Sequence, residues 1–127
     1  MTPIVRPTVE EVLTIHSELI CHIGGSPGIR DENLLDMSIN APFQTFGGVD
    51  LYPTLIAKAA HLTYSLIKNH PFLDGNKRTG VTVLVIFLKA NDIEIACTNK
   101  ELKDLGWGLA DSSISEAELV DWIISHS

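Results

Sequence analysis

The stretch Lys68-Asn69-His70-Pro71-Phe72-Leu73-Asp74-Gly75-Asn76-Lys77-Arg78-Thr79-Gly80 places a dense set of polar side chains between two apolar, helix-like segments. It holds an imidazole (His70), a carboxylate (Asp74), an amide (Asn76) and three cations (Lys68, Lys77, Arg78). Pro71 disfavours helical geometry at the residue before it, so a helix arriving from upstream stops at about Asn69 and leaves His70 on a loop. Phe72 is the large apolar ring of the loop and anchors it to the core. Gly75 permits a turn that a side chain would resist, and the chain re-enters a helix at about Asn76 or Lys77.

The chemistry follows from that backbone. The first N–H groups of the second helix lack intrahelical partners and carry partial positive charge, which makes an anion site before any side chain is counted. Lys77 adds a point charge and Arg78 a bidentate grip, a combination suited to a polyphosphate. Asp74 is unfavourable beside bare phosphate unless a cation bridges them, and a carboxylate with phosphate oxygens is how Mg²⁺ is usually held. His70 is then the candidate proton acceptor for an attacking hydroxyl. The plain alternative is a loop whose histidine caps a helix and whose cations are solvated. A P-loop is excluded: Gly75 and Gly80 have its glycine spacing, but Val81-Thr82 follows in place of Lys-Ser or Lys-Thr.

Working outward, Leu55, Ile56, Ala59, Leu62, Leu66 and Ile67 recur on one face of the helix that delivers His70, with Pro53 suited to its first turn. His61 lies on it without a second ligand at helical spacing, so the two histidines are no metal pair. Downstream, Val81 to Leu88 is nearly continuous apolar sequence that periodicity alone would also allow as a buried strand. The helix-length segment from Asn76 to Ala90, and the loop's need for a helix N-terminus behind it, make it the central buried helix.

Towards the N-terminus, Thr8-Val-Glu-Glu11 has the form of a capping box, and Val12, Ile15, Leu19 and Ile23 continue a helix to about Ile23. His16 and His22 read as face or boundary residues of that helix. Gly24 to Asp31 is a glycine-rich loop ending in an N-cap, with Leu34, Leu35 and Ile39 on the helix that follows. Arg30 reads as a brace for that loop, through carbonyls or Asp31, rather than as a substrate contact. Pro42 to Tyr52 is turn-rich, and Gly47-Gly48 between Phe43-Gln-Thr-Phe46 and Val49-Asp-Leu51 fits a short hairpin or, more blandly, a connecting loop. Beyond Asn91-Asp92, Ile93 to Cys97 alternates like a short extended piece. Two further capping boxes, Thr98 to Glu101 and Ser115 to Glu118, open the last two helices. Trp107 and Trp122 read as packing residues.

Composition bounds the class. The 127 residues make one domain, residues 1–127, able to bury a core without staples. No leader pattern is present, and no apolar run reaches the roughly 18 to 20 residues needed to cross a bilayer, so a soluble cytoplasmic protein is expected, with no membrane partner. Cys21 and Cys97 are far apart and read as reduced, structural thiols in apolar surroundings. A net charge of −7 argues against direct nucleic-acid binding. Three of the nine cations lie between Lys68 and Arg78, so positive potential is local and suits a small anionic ligand.

The nine residues His70 to Arg78 resemble the signature loop of the Fic/Doc family, and Lys77 after Asn76 resembles its Doc, or death-on-curing, toxin branch. Gly24-Gly-x-x-Gly-Ile-Arg-Asp-x-x-Leu-Leu35 is similar to the N-terminal part of Doc-like proteins. Typical Fic adenylyltransferases have Gly where this chain has Lys77, and a second Arg where it has Val81. The resemblance implies an all-α fold, a compact bundle of about six helices around a central buried helix with a short flap. It implies a toxin that phosphorylates a Ser or Thr hydroxyl of a translation factor, elongation factor Tu, using ATP and Mg²⁺. By the same resemblance His70 is the general base, Asp74 the Mg²⁺ ligand, and Lys68, Gly75, Asn76, Lys77 and Arg78 the nucleotide- and phosphate-binding residues, the last two also catalytic. The resemblance also implies a flap at Pro42 to Tyr52 that lines up the target segment as an added strand. The family's self-inhibiting Ser/Thr-x-x-x-Glu-Gly/Asn pattern is missing: Glu32 precedes Asn33, but Gly28 stands four residues earlier. Inhibition then falls to a separate antitoxin acting in trans, its disordered tail folding as a helix in a groove near the loop. AMP or other nucleotidyl transfer to a protein hydroxyl is the alternative reaction, a non-catalytic binding module another reading, and a metal nuclease the remaining one.

Overall fold

The computed structural model describes residues 3–127. Six helices follow one another: α1 Val9–Ile23, α2 Glu32–Asn40, α3 Leu55–Lys68, α4 Asn76–Ala90, α5 Asn99–Ala110 and α6 Glu116–His126. A 3-10 turn at Ala41–Phe43 leads into two short strands, β1 Thr45–Phe46 and β2 Val49–Asp50. The all-α bundle with one small hairpin is the fold the sequence implied.

Local rules account for the helix starts. Thr8, Asp31, Thr54, Thr98 and Ser115 each accept a hydrogen bond from the backbone N–H three residues on. At α5 and α6 the box is reciprocal, with Glu101 and Glu118 reaching back to the cap's own N–H at 2.9 and 3.0 Å. At α1 only half of it forms, because the Glu11 carboxylate accepts from the Thr8 hydroxyl at 3.1 Å instead. Thr54 caps α3, so Pro53 lies before the helix and not in its first turn. The strands are antiparallel, pairing Thr45 with Asp50 and Phe46 with Val49. Gly47 and Gly48, at φ 60° and 80°, supply the two left-handed residues that a two-residue hairpin loop of matching twist requires.

The centre is a pair of helices rather than α4 alone. α4 packs against α3, α5 and α1, while α3 also meets α6 and α2. Thr79, Val83, Leu84 and Leu88 of α4 are buried, yet Ile86 is 45% exposed, so one flank of α4 reaches solvent. Gly80 is unfavourable in a helix interior, but here it lets the pair close: a Cβ on it would lie 2.7 Å from Ile67 Cγ1. Thr63 Oγ1 donates to the Gly80 carbonyl across the same crossing at 3.2 Å. Ile93 to Cys97 runs without regular structure and alternates between half-buried and exposed. Ala96 N–H donates to His126 O at 2.8 Å, tying this segment to the end of α6.

Both cysteines are free, but Cys21 is exposed on α1 rather than set among apolar side chains. Cys97 is half-buried, and desolvation followed by the Glu101 charge raises its thiol pKa. Among the described residues no helix is long and apolar enough to cross a membrane.

Candidate active site

α3 ends at Lys68 and the chain turns sharply at His70, whose φ of 48° lies in the left-handed region that a non-glycine residue rarely adopts. A set of bonds from the N-terminal third holds this turn. The Arg30 guanidinium donates from Nε to His70 O at 2.6 Å and from Nη2 to Asn69 O at 2.7 Å. The backbone N–H groups of Arg30 and Asp31 both donate to Pro71 O, at 2.7 and 3.1 Å. Ile29 and Phe72 form an isolated bridge, and Phe72 is only 1% exposed, the apolar anchor that its ring suggested. Arg30 therefore grips carbonyls rather than serving as the expected brace of its own glycine-rich loop: the carbonyls belong to the Asn69–His70 turn.

Asn76 closes the loop from the other side. Its Oδ1 accepts from Phe72 N–H at 2.9 Å and its Nδ2 donates to Phe72 O at 3.0 Å, which fixes the orientation of the amide. Nδ2 therefore faces His70 Nδ1, 3.3 Å away. That places an acceptor lone pair on Nδ1 of the exposed imidazole, engaged by a long bond only.

Gly75, at φ 80°, is the N-cap of α4 and offers no side chain to its N–H groups. Lys77 and Arg78 follow on the first turn, and among the described residues neither takes part in an ion pair. Lys77 Nζ lies 4.4 Å from the centre of the Trp107 ring, a cation–π contact from α5. Trp107 is thus 54% exposed, facing the site instead of the core. Asp74 is held open beside this helix end. Its Oδ1 accepts from Gly75 N–H at 2.9 Å and its Oδ2 from Ser26 N–H at 3.3 Å. Gly25 allows that approach, since a Cβ there would lie 2.8 Å from Asp74 Oδ2.

A cavity of about 850 Å³ opens here. Asp74, Gly75, Asn76, Lys77 and Arg78 line it from the signature loop and α4, Leu19 and Ile23 from α1, and Asn99, Leu102, Lys103 and Trp107 from α5. Val81, 4% exposed, contributes apolar wall where a second arginine would bring charge. His70 stands on the adjoining loop rather than in the cavity lining. Lys68 is directed elsewhere. Its Nζ donates to Ala110 O at 3.4 Å and to Ser112 Oγ, at the negative end of α5. The Asp111 carboxyl nearby is held below the usual range, first by the Ser113 hydroxyl and N–H and also by the Lys68 charge.

The residues fit a Mg²⁺ ion brought with a nucleotide better than a resident one. Asp74 has a free lone pair on each oxygen beyond the two N–H bonds it accepts, whereas among the described residues no group of three or more His, Cys, Asp or Glu gathers to hold a metal. Phosphate oxygens would have to complete the shell.

Two residues contribute, to which sequence reasoning gave no part in the site. His16 is 4% exposed, stacked on Phe72 at 3.7 Å and 6°, not a boundary residue. Its place in the stripe with Val12 and Leu19 carried the signal. Lys58, 4% exposed on α3, donates to Asp50 Oδ2 at 3.1 Å and to Tyr52 O, tying the hairpin to the helix. His61 stacks on Tyr52 at 4.1 Å and meets Glu116 at 3.0 Å. Burial, then Glu116, raises the Tyr52 pKa.

A sequence profile of the Fic/DOC family matches residues 6–88. Toxin Doc of Mycolicibacterium smegmatis (strain ATCC 700084 / mc(2)155) is 44% identical over 87 residues, which span 68% of this chain and 65% of the relative. Protein kinase doc of Escherichia phage P1 is 28% identical over 112 residues, 88% of this chain and 87% of the relative. The profile covers the Arg30 and Asp31 bonds that clamp the loop, the signature loop itself and most of α4, and with both relatives bearing the Doc name, the chain belongs to the Fic/DOC family, in its Doc branch.

Proposed function

We propose that this chain is the toxin of a toxin–antitoxin pair and transfers the γ-phosphoryl group of ATP to a Ser or Thr hydroxyl of a translation factor, elongation factor Tu by resemblance. One observation carries the reading: an α4 N-terminus without a side-chain cap, bearing two cations free of ion pairs, adjoins an open carboxylate and an exposed imidazole with an acceptor nitrogen. ATP phosphates would bind at the N–H groups of α4 with Lys77 and Arg78, the nucleoside lying in the cavity between α1 and α5. Asp74 would hold Mg²⁺, which on binding neutralises charge on the phosphate oxygens.

The acceptor hydroxyl displaces the long Asn76 contact at His70 Nδ1 and gives up its proton there as its oxygen attacks the γ-phosphorus. The bond from that phosphorus to the β–γ bridging oxygen breaks, and ADP departs. Lys77, Arg78 and the helix end stabilise charge along this in-line path. Val81 supports phosphoryl over AMP transfer, because no cation stands at the position where nucleotidyl-transferring relatives seat ATP with a second arginine. The names Toxin Doc and Protein kinase doc support the same class. An antitoxin in trans would be the regulator, and action in the cytoplasm follows from the proposed target.

The test mixes the purified protein, a bacterial lysate and Mg²⁺ with ATP labelled at the γ- or the α-phosphate. Label from the γ-position only is expected, falling about 10²- to 10⁴-fold in His70→Ala as for loss of a general base. Label from the α-position would overturn the phosphoryl reading. Binding of ATP with no label from either would leave a binding module.

A further inference from the structure

Resting on the phosphoryl-transfer reading, we propose that His16 is a positioning residue for the Asp74 carboxylate, acting through the Asp74 main chain. Its ring lies on α1, 58 positions from the carboxylate it would serve. Nε2 is 2.8 Å from Asp74 O. A carbonyl only accepts, so Nε2 carries the proton and donates.

The rest of the ring is fixed independently. It stacks face to face on Phe72, centroids 3.7 Å apart, and is 4% exposed. Its Nε2 and Cδ2 lie 3.6 Å from where a Cβ on Gly75 would stand. The imidazole therefore packs on Phe72, bonds Asp74 and borders Gly75, three points of the turn that leads into α4.

That turn is where the peptide between Asp74 and Gly75 could swing. Gly75 has no side chain to restrict it and sits at φ 80°. Rotation of this peptide would carry Gly75 N–H off Asp74 Oδ1 and re-aim the carboxylate relative to the α4 N-terminus. The His16 bond holds the carbonyl end and the Asp74 carboxylate holds the N–H end, so both ends of one peptide are pinned. Loss of the donor leaves the carbonyl without its partner and frees the pivot, while the stacking interaction is a separate contribution.

His16→Phe and His16→Gln separate the two. Phenylalanine keeps a flat ring on Phe72 and removes the donor; glutamine loses the ring and restores an N–H near the Nε2 position. Three measurements are made on the intact protein, with thermal midpoints as the check on folding: hydrogen exchange of the Gly75 amide in the free protein, binding of Mn²⁺ with ATP by calorimetry, and γ-phosphoryl transfer. His16→Phe is expected to speed Gly75 exchange about tenfold and to lower Mn²⁺–ATP affinity and kcat about 10- to 100-fold. His16→Gln is expected to recover most of both losses despite a lower thermal midpoint. A folded His16→Phe with wild-type exchange at Gly75 overturns the proposal, as does a defect that glutamine leaves wholly unrelieved. If the wild type binds Mn²⁺–ATP but transfers nothing, the kinase reading fails and the exchange and binding series still decide the role of His16. If it neither binds nor transfers, the exchange comparison alone decides it.

Discussion

The signature loop and the C-terminal helix pair are both held by hydrogen bonds, but of opposite reach. α5 and α6 each begin with a reciprocal box whose partners stand three residues apart. The loop is held by Arg30 across 39 and 40 positions and by His16 across 58. A box forms with its own helix, needing nothing else. The loop takes its shape only once α1 and the Gly24 to Asp31 segment have docked, so its strained His70 and its open carboxylate depend on packing made elsewhere. Damage to the clamp should then remove activity beyond what it removes in stability. Damage to a box should do the reverse.

The largest effect is expected from Phe72→Ala, which empties a fully buried site on which His16 stacks. About 3–5 kcal/mol of unfolding free energy should be lost, measured by urea denaturation. A smaller loss would mean that the ring is replaceable and the clamp is mainly polar. Arg30→Ala comes next. Its fork is exposed, so the charge-assisted bonds are screened, and about 1–3 kcal/mol is expected, with transfer activity falling further than the folded fraction does. Arg30→Lys should not restore it, because an ammonium cannot reproduce the fixed fork to two successive carbonyls. A full rescue by lysine would show that only charge matters there.

On the other side of the comparison, Ser115→Ala and Thr98→Ala should each cost about 1 kcal/mol. Ser115→Ala should leave the transfer rate of the folded protein as it was; a loss of rate would show that α6 reaches the site. The smallest effect is a pH dependence. The Glu101 carboxyl is held below its usual value by the Thr98 N–H first and then by the His126 ring, and Glu118 by the Ser115 N–H. A carboxylate with a lowered folded pKa stabilises fully above its ordinary value and loses that contribution as pH falls through the lowered one. The thermal midpoint should therefore decline in acid less steeply in the Glu101→Gln, Glu118→Gln double variant than in the wild type. An unchanged slope would assign acid sensitivity to other carboxylates.

Legibility divides along the same line. All six helices could be read, since caps, proline and apolar spacing act within a turn or two of themselves, and even the ambiguous Val81 to Leu88 run was decided by its neighbours. The Gly47-Gly48 turn was equally visible. Arg30 as a brace was readable as a type of role, though not the carbonyls it would grip. Half of the box at α1 failed for a local reason no pattern records, the Thr8 hydroxyl having taken the Glu11 carboxylate. His16 was misread because a histidine in an apolar stripe is usually a boundary residue, and nothing on α1 announces a free carbonyl at position 74.

By itself, then, the sequence determined which segments are helical, the break of α3 at His70 before Pro71, the glycine at the start of α4 and the order of charges along the signature loop. These depend on backbone sterics and on partners a few residues away. Tertiary structure alone decided where side chains point. It turned Lys68 to the end of α5, brought Trp107 out over Lys77, exposed Cys21, buried Lys58 under the hairpin and set His16 against Asp74. The physical reason is that a side chain's direction is chosen by what packs opposite it, and in this fold the opposite surface is commonly dozens of residues away in the chain.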